Sequence, residues 1–472
     1  MSESENAAAI EPGAVQPNDD SPIDAENHLR PEFVARVLDA VAAGDNDTAR
    51  ALVEPLHPAD VADLIELARE DERDGLVAAL AEMVDADVYA ELNDFVREDL
   101  LDEMEPQQVA DLAGQLDTDD AVALIEDLDR DDQQAVLSAM EPDDRAAVEE
   151  ALTYGEETAG RLMQRDLIAV PRHWKVGQVI DYLRRGDELA DDFWEVFVVS
   201  PDHHPVGTCK LSTILRSPRT ALVDDIMLKE QTLIPVDMDQ EEVALKFQKY
   251  ALISAAVVDP SGRLVGMITV DDIVHIVEEE ASEDTLALAG AGDGDINEPL
   301  SETYRDRVRW LVANLGTALI AASVIAMFEG TIERFAILAA LMPIVAALGG
   351  NAGTQALAVT VRAIATNQLT GSNRWRAVGR ELKVAVLNGV TIAVLIGIGV
   401  WLVLGSATLG GVIATAMLAN IVVAGMAGVL VPLTLERFGA DPAVASSVFV
   451  TTVTDTMGFL AFLGLATLAF HL

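Results

Sequence analysis

Pro343-Ile344-Val345-Ala346-Ala347-Leu348-Gly349-Gly350-Asn351-Ala352-Gly353-Thr354-Gln355 sits inside Phe335–Val361, a stretch with no ionisable side chain. A run of that length meets the roughly 20 apolar residues that one bilayer crossing requires. Trp310–Phe328 and Val384–Leu435 are also uncharged, and Ala443–Leu472 holds only Asp455 and His471. Gly405-Ser406 and Gly410-Gly411 divide the longest of these tracts into two. The expectation is therefore five membrane-spanning helices. Arg305, Arg307 and Arg309 precede the first span, and Arg362, Arg374, Arg376, Arg380 and Lys383 surround the loop after the second. Basic flanks stay on the cytoplasmic side. The amino terminus is thus expected in the cytosol and Leu472 outside, with the protein as a multi-pass component of the cytoplasmic (inner) membrane.

Asp455 lies near the middle of the last span, within Thr451-Thr452-Val453-Thr454-Asp455-Thr456-Met457. A carboxylate there costs about 2.5–3.5 kcal/mol on insertion scales unless it faces water, an ion or a partner. The five tracts carry no Lys or Arg to pair with it. Thr451 and Thr454 add oxygen atoms, the donor type that a hard divalent cation prefers. In the second span Gly349, Gly350 and Gly353 permit close backbone approach or a helix break, while Asn351 and Gln355 lie one turn apart on one face. Helix packing accounts for the glycines but not for two amides. An intramembrane aspartyl protease would need two carboxylates sharing a proton. Asp441 is about 20 Å from Asp455 along a helix, so no enzyme is expected.

The rest of the chain is different in kind. The first 300 residues hold 71 of the 79 acidic and 21 of the 31 basic side chains, a formal charge of −50 against +2 for the remainder. Phosphate binding needs the opposite sign, so nucleic acid is not expected as a partner. Acidity spread over every soluble segment, with only 6 Lys, fits a halophilic surface in a saline cytoplasm. The single Cys209 excludes an internal disulfide and a cysteine zinc site. The polar, acidic first 30 residues lack the regions of a signal peptide and read as a disordered cytosolic leader.

Between these extremes the rhythm changes twice. His57-Pro58-Ala59-Asp60-Val61-Ala62-Asp63-Leu64 recurs loosely as Glu105-Pro106-Gln107-Gln108-Val109-Ala110-Asp111-Leu112, and Glu141-Pro142 opens a third copy. Proline near the first turn followed by apolar residues at helical spacing predicts stacked helical hairpins. Further on, Glu195–Val199 and Val206–Leu211 flank a turn at Asp202-His203-His204-Pro205. Ser254–Val258 and Leu264–Ile273 repeat the plan around Asp259-Pro260-Ser261-Gly262. Led by Ala159-Gly160-Arg161-Leu162-Met163 and Val223-Asp224-Asp225-Ile226-Met227, these units resemble a tandem pair of CBS domains. Such pairs often take adenine nucleotides, which leaves ATP open as a ligand.

Taken in order, the segments resemble the MgtE family of Mg²⁺ transporters. Gly349-Gly350-Asn351-Ala352-Gly353-Thr354-Gln355, Asp441-Pro442-Ala443 with Asp455 beyond, Arg307-Val308-Arg309-Trp310-Leu311 and Phe328-Glu329-Gly330 carry the likeness. It implies a multidomain membrane protein with a leader at 1–30 and a superhelical domain at 31–155. Two α/β CBS copies at 156–218 and 219–282 follow, then a connecting (plug) helix at 283–306 and an all-α domain of five spans at 307–472. It further implies a homodimer that passes Mg²⁺ at Asp455, with Asp441 nearer the cytosolic mouth. Cytosolic Mg²⁺ would close the pore through acidic positions matched by Asp239, Glu241, Asp272, Glu280, Glu283 and Asp284. His275 and Ala251 stand where relatives can carry acids, and Ser446-Ser447-Val448 replaces a more usual Ser-Asn-Pro. Transport of Mn²⁺ or Co²⁺, ion-coupled exchange, and a non-transporting nucleotide sensor are the alternatives the residues leave open.

Overall fold

The computed structural model describes residues 21–126, 128–185, 189, 193–290, 294–369, 371–444 and 446–470. The first 20 leader residues, His471 and Leu472 lie outside them. The chain divides into two compact units, Met1–Ile273 and Val274–Leu472.

In the first unit, short helices form a domain whose caps are written in the sequence. Pro31, Pro58, Pro106 and Pro142 each open a helix. At that position a proline removes only an N–H that has no helical partner. The carboxylates of Asp45 and Asp85 and the amide oxygen of Asn93 accept from the N–H groups of Thr48, Val88 and Val96. Part of the acidity is therefore spent on helix starts. Leu64, Ile65, Leu76, Leu80, Leu124 and Ile125 are the fully buried centre. The leader expectation needs a correction at its end. Residues 21–30 are held by a bridge between Ile23 and Leu29, and Leu29 is buried in this core, because one apolar side chain every few residues suffices to anchor a short arm.

Two three-stranded sheets follow, each with the first strand parallel to the second and the third antiparallel to it. One comprises β1 (Ala169–Pro171), β2 (Glu195–Val199) and β3 (Pro205–Lys210). The other comprises β4 (Leu233–Pro235), β5 (Ser254–Val258) and β6 (Leu264–Thr269). The lead-in segments cross over. The N–H groups of Ala159 and Gly160 donate to the carbonyls of Met238 and Val236, while Thr208 and Leu228 exchange a pair of hydrogen bonds. Phe197, Val199, Ala256, Leu264 and Met267 join the sheets in one apolar cluster. β6 stops at Thr269, short of the expected Ile273, because the helix Val270–Ala289 begins there and places Asp271 and Asp272 in its first turn. Carboxylates are favoured at that end of a helix.

The stretch 283–306, expected as one connecting helix, holds the end of Val270–Ala289, bends at Gly290 (φ 67°) and Gly294 (φ 75°), and the start of Leu300–Met327. Positive φ is open to glycine without steric cost, so the chain turns there. Among the described residues, five helices are long and apolar enough to cross a membrane: Leu300–Met327, Ile337–Ala365, Arg374–Leu404, Ala407–Arg437 and Ser446–Ala469. The fourth packs on the second, third and fifth, and the second packs on the fifth. Leu311, Val312, Leu315 and Leu319 of the first span point outward.

Close approach between the second and fourth spans rests on missing side chains. A Cβ on Gly428 would lie 2.6 Å from the Gly353 carbonyl oxygen and 2.7 Å from the Ala356 Cβ, whereas one on Gly411 would meet nothing within 4 Å. Gly428→Ala should therefore lower the thermal midpoint of the detergent-purified protein by several degrees, as expected for overpacking of about 1–3 kcal/mol. Gly411→Ala should leave it unchanged.

Candidate functional site

The polar residues of the membrane helices fall into two sets. Asn420, in the fourth span, is 1% exposed and its amide nitrogen donates to the Val345 carbonyl at 3.0 Å. Gly349 and Gly458 pack directly against that amide, so Asn420 pins the second and fifth spans to the fourth. The other set is uncovered. Asn351, Thr354 and Gln355 are exposed along one side of the second span, and Thr451 is exposed on the fifth, one turn before the half-buried Asp455.

The pore residues anticipated from sequence separate accordingly. Gly349 and Gly353 are buried helix-packing positions, while Gly350 has open space beside it. Thr454 turns away from the exposed face. It is fully buried, near where a Cβ on Gly353 would stand, and its hydroxyl donates to the Thr451 carbonyl. Helical geometry explains this, since Thr451 shares a face with Asp455 at i, i+4 and Thr454 does not.

A second constellation lies within the first unit. Asp272 accepts from the Thr269 hydroxyl at 2.6 Å and from the Gln164 amide at 3.4 Å. The helix Thr118–Glu126 brings Asp119 and Asp120 to it, with Asp117 just before. Burial first, and the neighbouring carboxylates second, push Asp120 up to about 6 and hold Asp119 well above the usual carboxylate range. Burial also takes Asp272 to about 6 against the opposing Thr269 hydrogen bond, with Asp271 and Asp117 adding to the rise. Asp119 is buried, and its Oδ1 has no hydrogen-bond partner among the described residues. These carboxylates influence one another through their charge, but their oxygens do not converge as ligands of one ion; among the described residues that geometry is found at Asp24, Glu26 and His28.

The other anticipated sensor residues are dispersed. Asp239 caps the helix Gln240–Tyr250 by accepting from the Glu241 N–H. Glu280 and Glu283 lie along the helix Val270–Ala289. Asp284, on that helix, is raised by burial and then by the charge of Asp441. Asp441 itself accepts from the Ala443 N–H at 2.7 Å, fixing the turn before the fifth span. Ala287 and Leu288 pack with Leu357, Val361, Ala443 and Val450. The end of the connecting helix is thus seated on the second and fifth spans.

This arrangement agrees with three family models: a divalent cation transporter family, MgtE, over residues 342–465, the MgtE intracellular N domain over 56–157, and the CBS domain over 223–279. A magnesium transporter MgtE of Enterococcus faecalis is 32% identical over 322 residues, covering 68% of this chain and 71% of that protein. The protein of the same name from Thermus thermophilus is 34% identical over 327 residues, covering 68% and 72%. The crystal structure of the cytosolic domain of the Mg²⁺ channel MgtE in complex with ATP aligns at 27% identity and a TM-score of 0.48, covering 52% of this chain and 99% of that one. The chain belongs to the MgtE family. It is a multi-pass membrane protein of a family of divalent cation transporters.

Two features of this MgtE chain escaped the sequence reading. Asp117, Asp119 and Asp120 look like any other acidic helix start, such as Asp131-Asp132 or Asp143-Asp144, and only the fold places Asp272 against them. Asn420 was legible. It is an amide within an uncharged tract, the same signal that singled out Asn351.

The acidic cluster has a definite pH signature. A carboxyl whose pKa is higher folded than unfolded binds more protons in the native state. Its stabilisation is present below the unfolded value near 4 and lost as pH rises through about 6. In divalent-free buffer the unfolding midpoint of the purified protein should therefore fall between pH 5 and 7. Asp119→Asn should flatten that response.

Proposed function

We propose that the chain is a homodimeric Mg²⁺ channel or transporter of the cytoplasmic membrane, with Asp455 at the centre of its ion pathway. The observation that carries this reading is the exposed polar face of Asn351, Thr354 and Gln355 together with Thr451 and Asp455. Amides and a carboxylate at mid-membrane depth need water, an ion or protein beside them. A second copy facing the first across a water-filled path supplies that environment and brings two Asp455 carboxylates to one divalent charge. Relatives named as magnesium transporters support the choice of ion.

Mg²⁺ releases its waters reluctantly, so Asp455 and Thr451 would hold the hydrated ion through its water shell, and Asp441 would attract it at the mouth. The basic flanks around Arg307 and Arg376 put the acidic unit in the cytosol. A membrane potential then drives inward flow by about 2.3 kcal/mol per charge per 100 mV. On the cytosolic side, Mg²⁺ would be drawn to the acidic surroundings of Asp272, Asp119 and Asp120, easing the repulsion that adds to burial in raising these carboxyls. With Asp284 and Glu283 on the same helix as Asp272, this occupancy would bias the connecting helix toward its seat on the second and fifth spans. ATP in the CBS pair would be a further ligand of that sensor.

Proteoliposomes test both parts. Asp455→Ala should abolish most Mg²⁺ flux while leaving assembly intact, and millimolar Mg²⁺ on the cytosolic face should suppress wild-type flux. Asp119→Asn and Asp272→Asn should weaken that suppression without reducing flux at low internal Mg²⁺. Unchanged flux in Asp455→Ala would remove the pathway. Mn²⁺, Co²⁺, Na⁺ and pH gradients in the same vesicles separate other cargoes and coupled exchange.

A further inference from the structure

A cavity of about 310 Å³ opens where the end of the second span, the loop after it and the start of the third span meet Val429 of the fourth. Its wall is amphipathic. Val359, Ala363 and Leu369 give an apolar side, and Arg376 and Arg380, one turn apart, give a cationic side. Neither guanidinium has an ion-pair partner among the described residues, whereas the neighbouring Arg374 is committed to Glu436. Asn373, also in the wall, donates to the Gln368 carbonyl and so closes the loop over the cavity. Trp375 beside it is 80% exposed, the placement of an aromatic at the membrane interface.

We propose that this cavity is a binding site for an anionic phospholipid, with the phosphate against Arg376 and Arg380 and the start of an acyl chain along Val359 and Ala363. Paired cations at the end of membrane helices, with apolar wall running toward the hydrocarbon, match a headgroup joined to its tail. A soluble phosphate would use only half of that wall. Glu381, the one carboxylate in the lining, stands one residue beyond Arg380 and accepts from a headgroup hydroxyl, which favours phosphatidylglycerol. A lipid seated here would tie the second, third and fourth spans together, whichever ion crosses the membrane.

The test is lipid retention by the full chain, purified in neutral detergent and followed by native mass spectrometry with phosphatidylglycerol, phosphatidylcholine or inorganic phosphate added. Wild type should retain phosphatidylglycerol in preference to phosphatidylcholine, and phosphate should not displace it. Arg376→Gln/Arg380→Gln should weaken phosphatidylglycerol retention about tenfold or more, the size expected for two charges near a membrane surface. Ala377→Trp, which fills the cavity and keeps both charges, should do the same. Arg305→Gln/Arg307→Gln should bind like wild type. Equal retention by wild type and both cavity variants would overturn the proposal, as would displacement by phosphate, which would make this an anion site. Flux is not the readout, so failure here leaves the ion pathway standing.

Discussion

A polar group inside hydrocarbon must be satisfied by its own protein, by a partner or by water, and that constraint organises the membrane half of this molecule. Asn420 and Asp455 are two responses to it. Asn420 is sealed in the bundle, where its amide bonds the Val345 carbonyl and two glycines make room for it. Its Oδ1, by contrast, is buried with no hydrogen-bond partner among the described residues. Asp455 has Thr451 on its own face and remains half exposed. The rigidity of the first site gives the second its fixed position, because Asn420 holds both the span that carries Asn351 and the span that carries Asp455.

In the first unit the desolvation comes from the protein's own packing, and repulsion between carboxylates adds to it. The chain carries a net charge of −48, and most of its carboxylates sit on solvated surface or cap helices, where the repulsion is screened. Asp119, Asp120 and Asp272 differ because the fold forces them together with Asp119 out of water. Burial of this kind makes ionisation costly, which the solvated bulk of the acidity does not. Asp284 and Asp441 repeat the motif on a smaller scale at the start of the fifth span.

Legibility in the sequence followed the range of the interactions involved. The helix starts at Pro58, Pro106 and Pro142, strands β2 and β5, and the five apolar spans were readable because each is decided by residues within a few positions of one another. The same locality made Asp455 and Asn351 stand out. What could not be read depends on contacts distant in the chain. Gln164 meets Asp272 across 108 residues, the lead-in strands swap between sheets, and Asp119 gains its character only from an element far along the sequence. Thr454 turns on a subtler point, since it is buried and its hydroxyl is bonded to the Thr451 carbonyl. Proximity in sequence to Asp455 suggested a shared site, but helical phase turned it into the interface with Gly353.

These two ranges meet in the helix Val270–Ala289. Its first turn holds Asp272, whose carboxyl is raised by burial and then by Asp271 and Asp117, and its last turns hold Asp284, Ala287 and Leu288, seated near Asp441, Leu357 and Val450. Asp272 and Asp284 share one run of backbone hydrogen bonds, since each residue of a helix is bonded to its neighbours a turn away. Beyond Leu288 the chain meets Gly290 and Gly294, whose positive φ angles glycine takes without steric cost, so the continuous helical bonding that links Asp272 to Leu288 ends there.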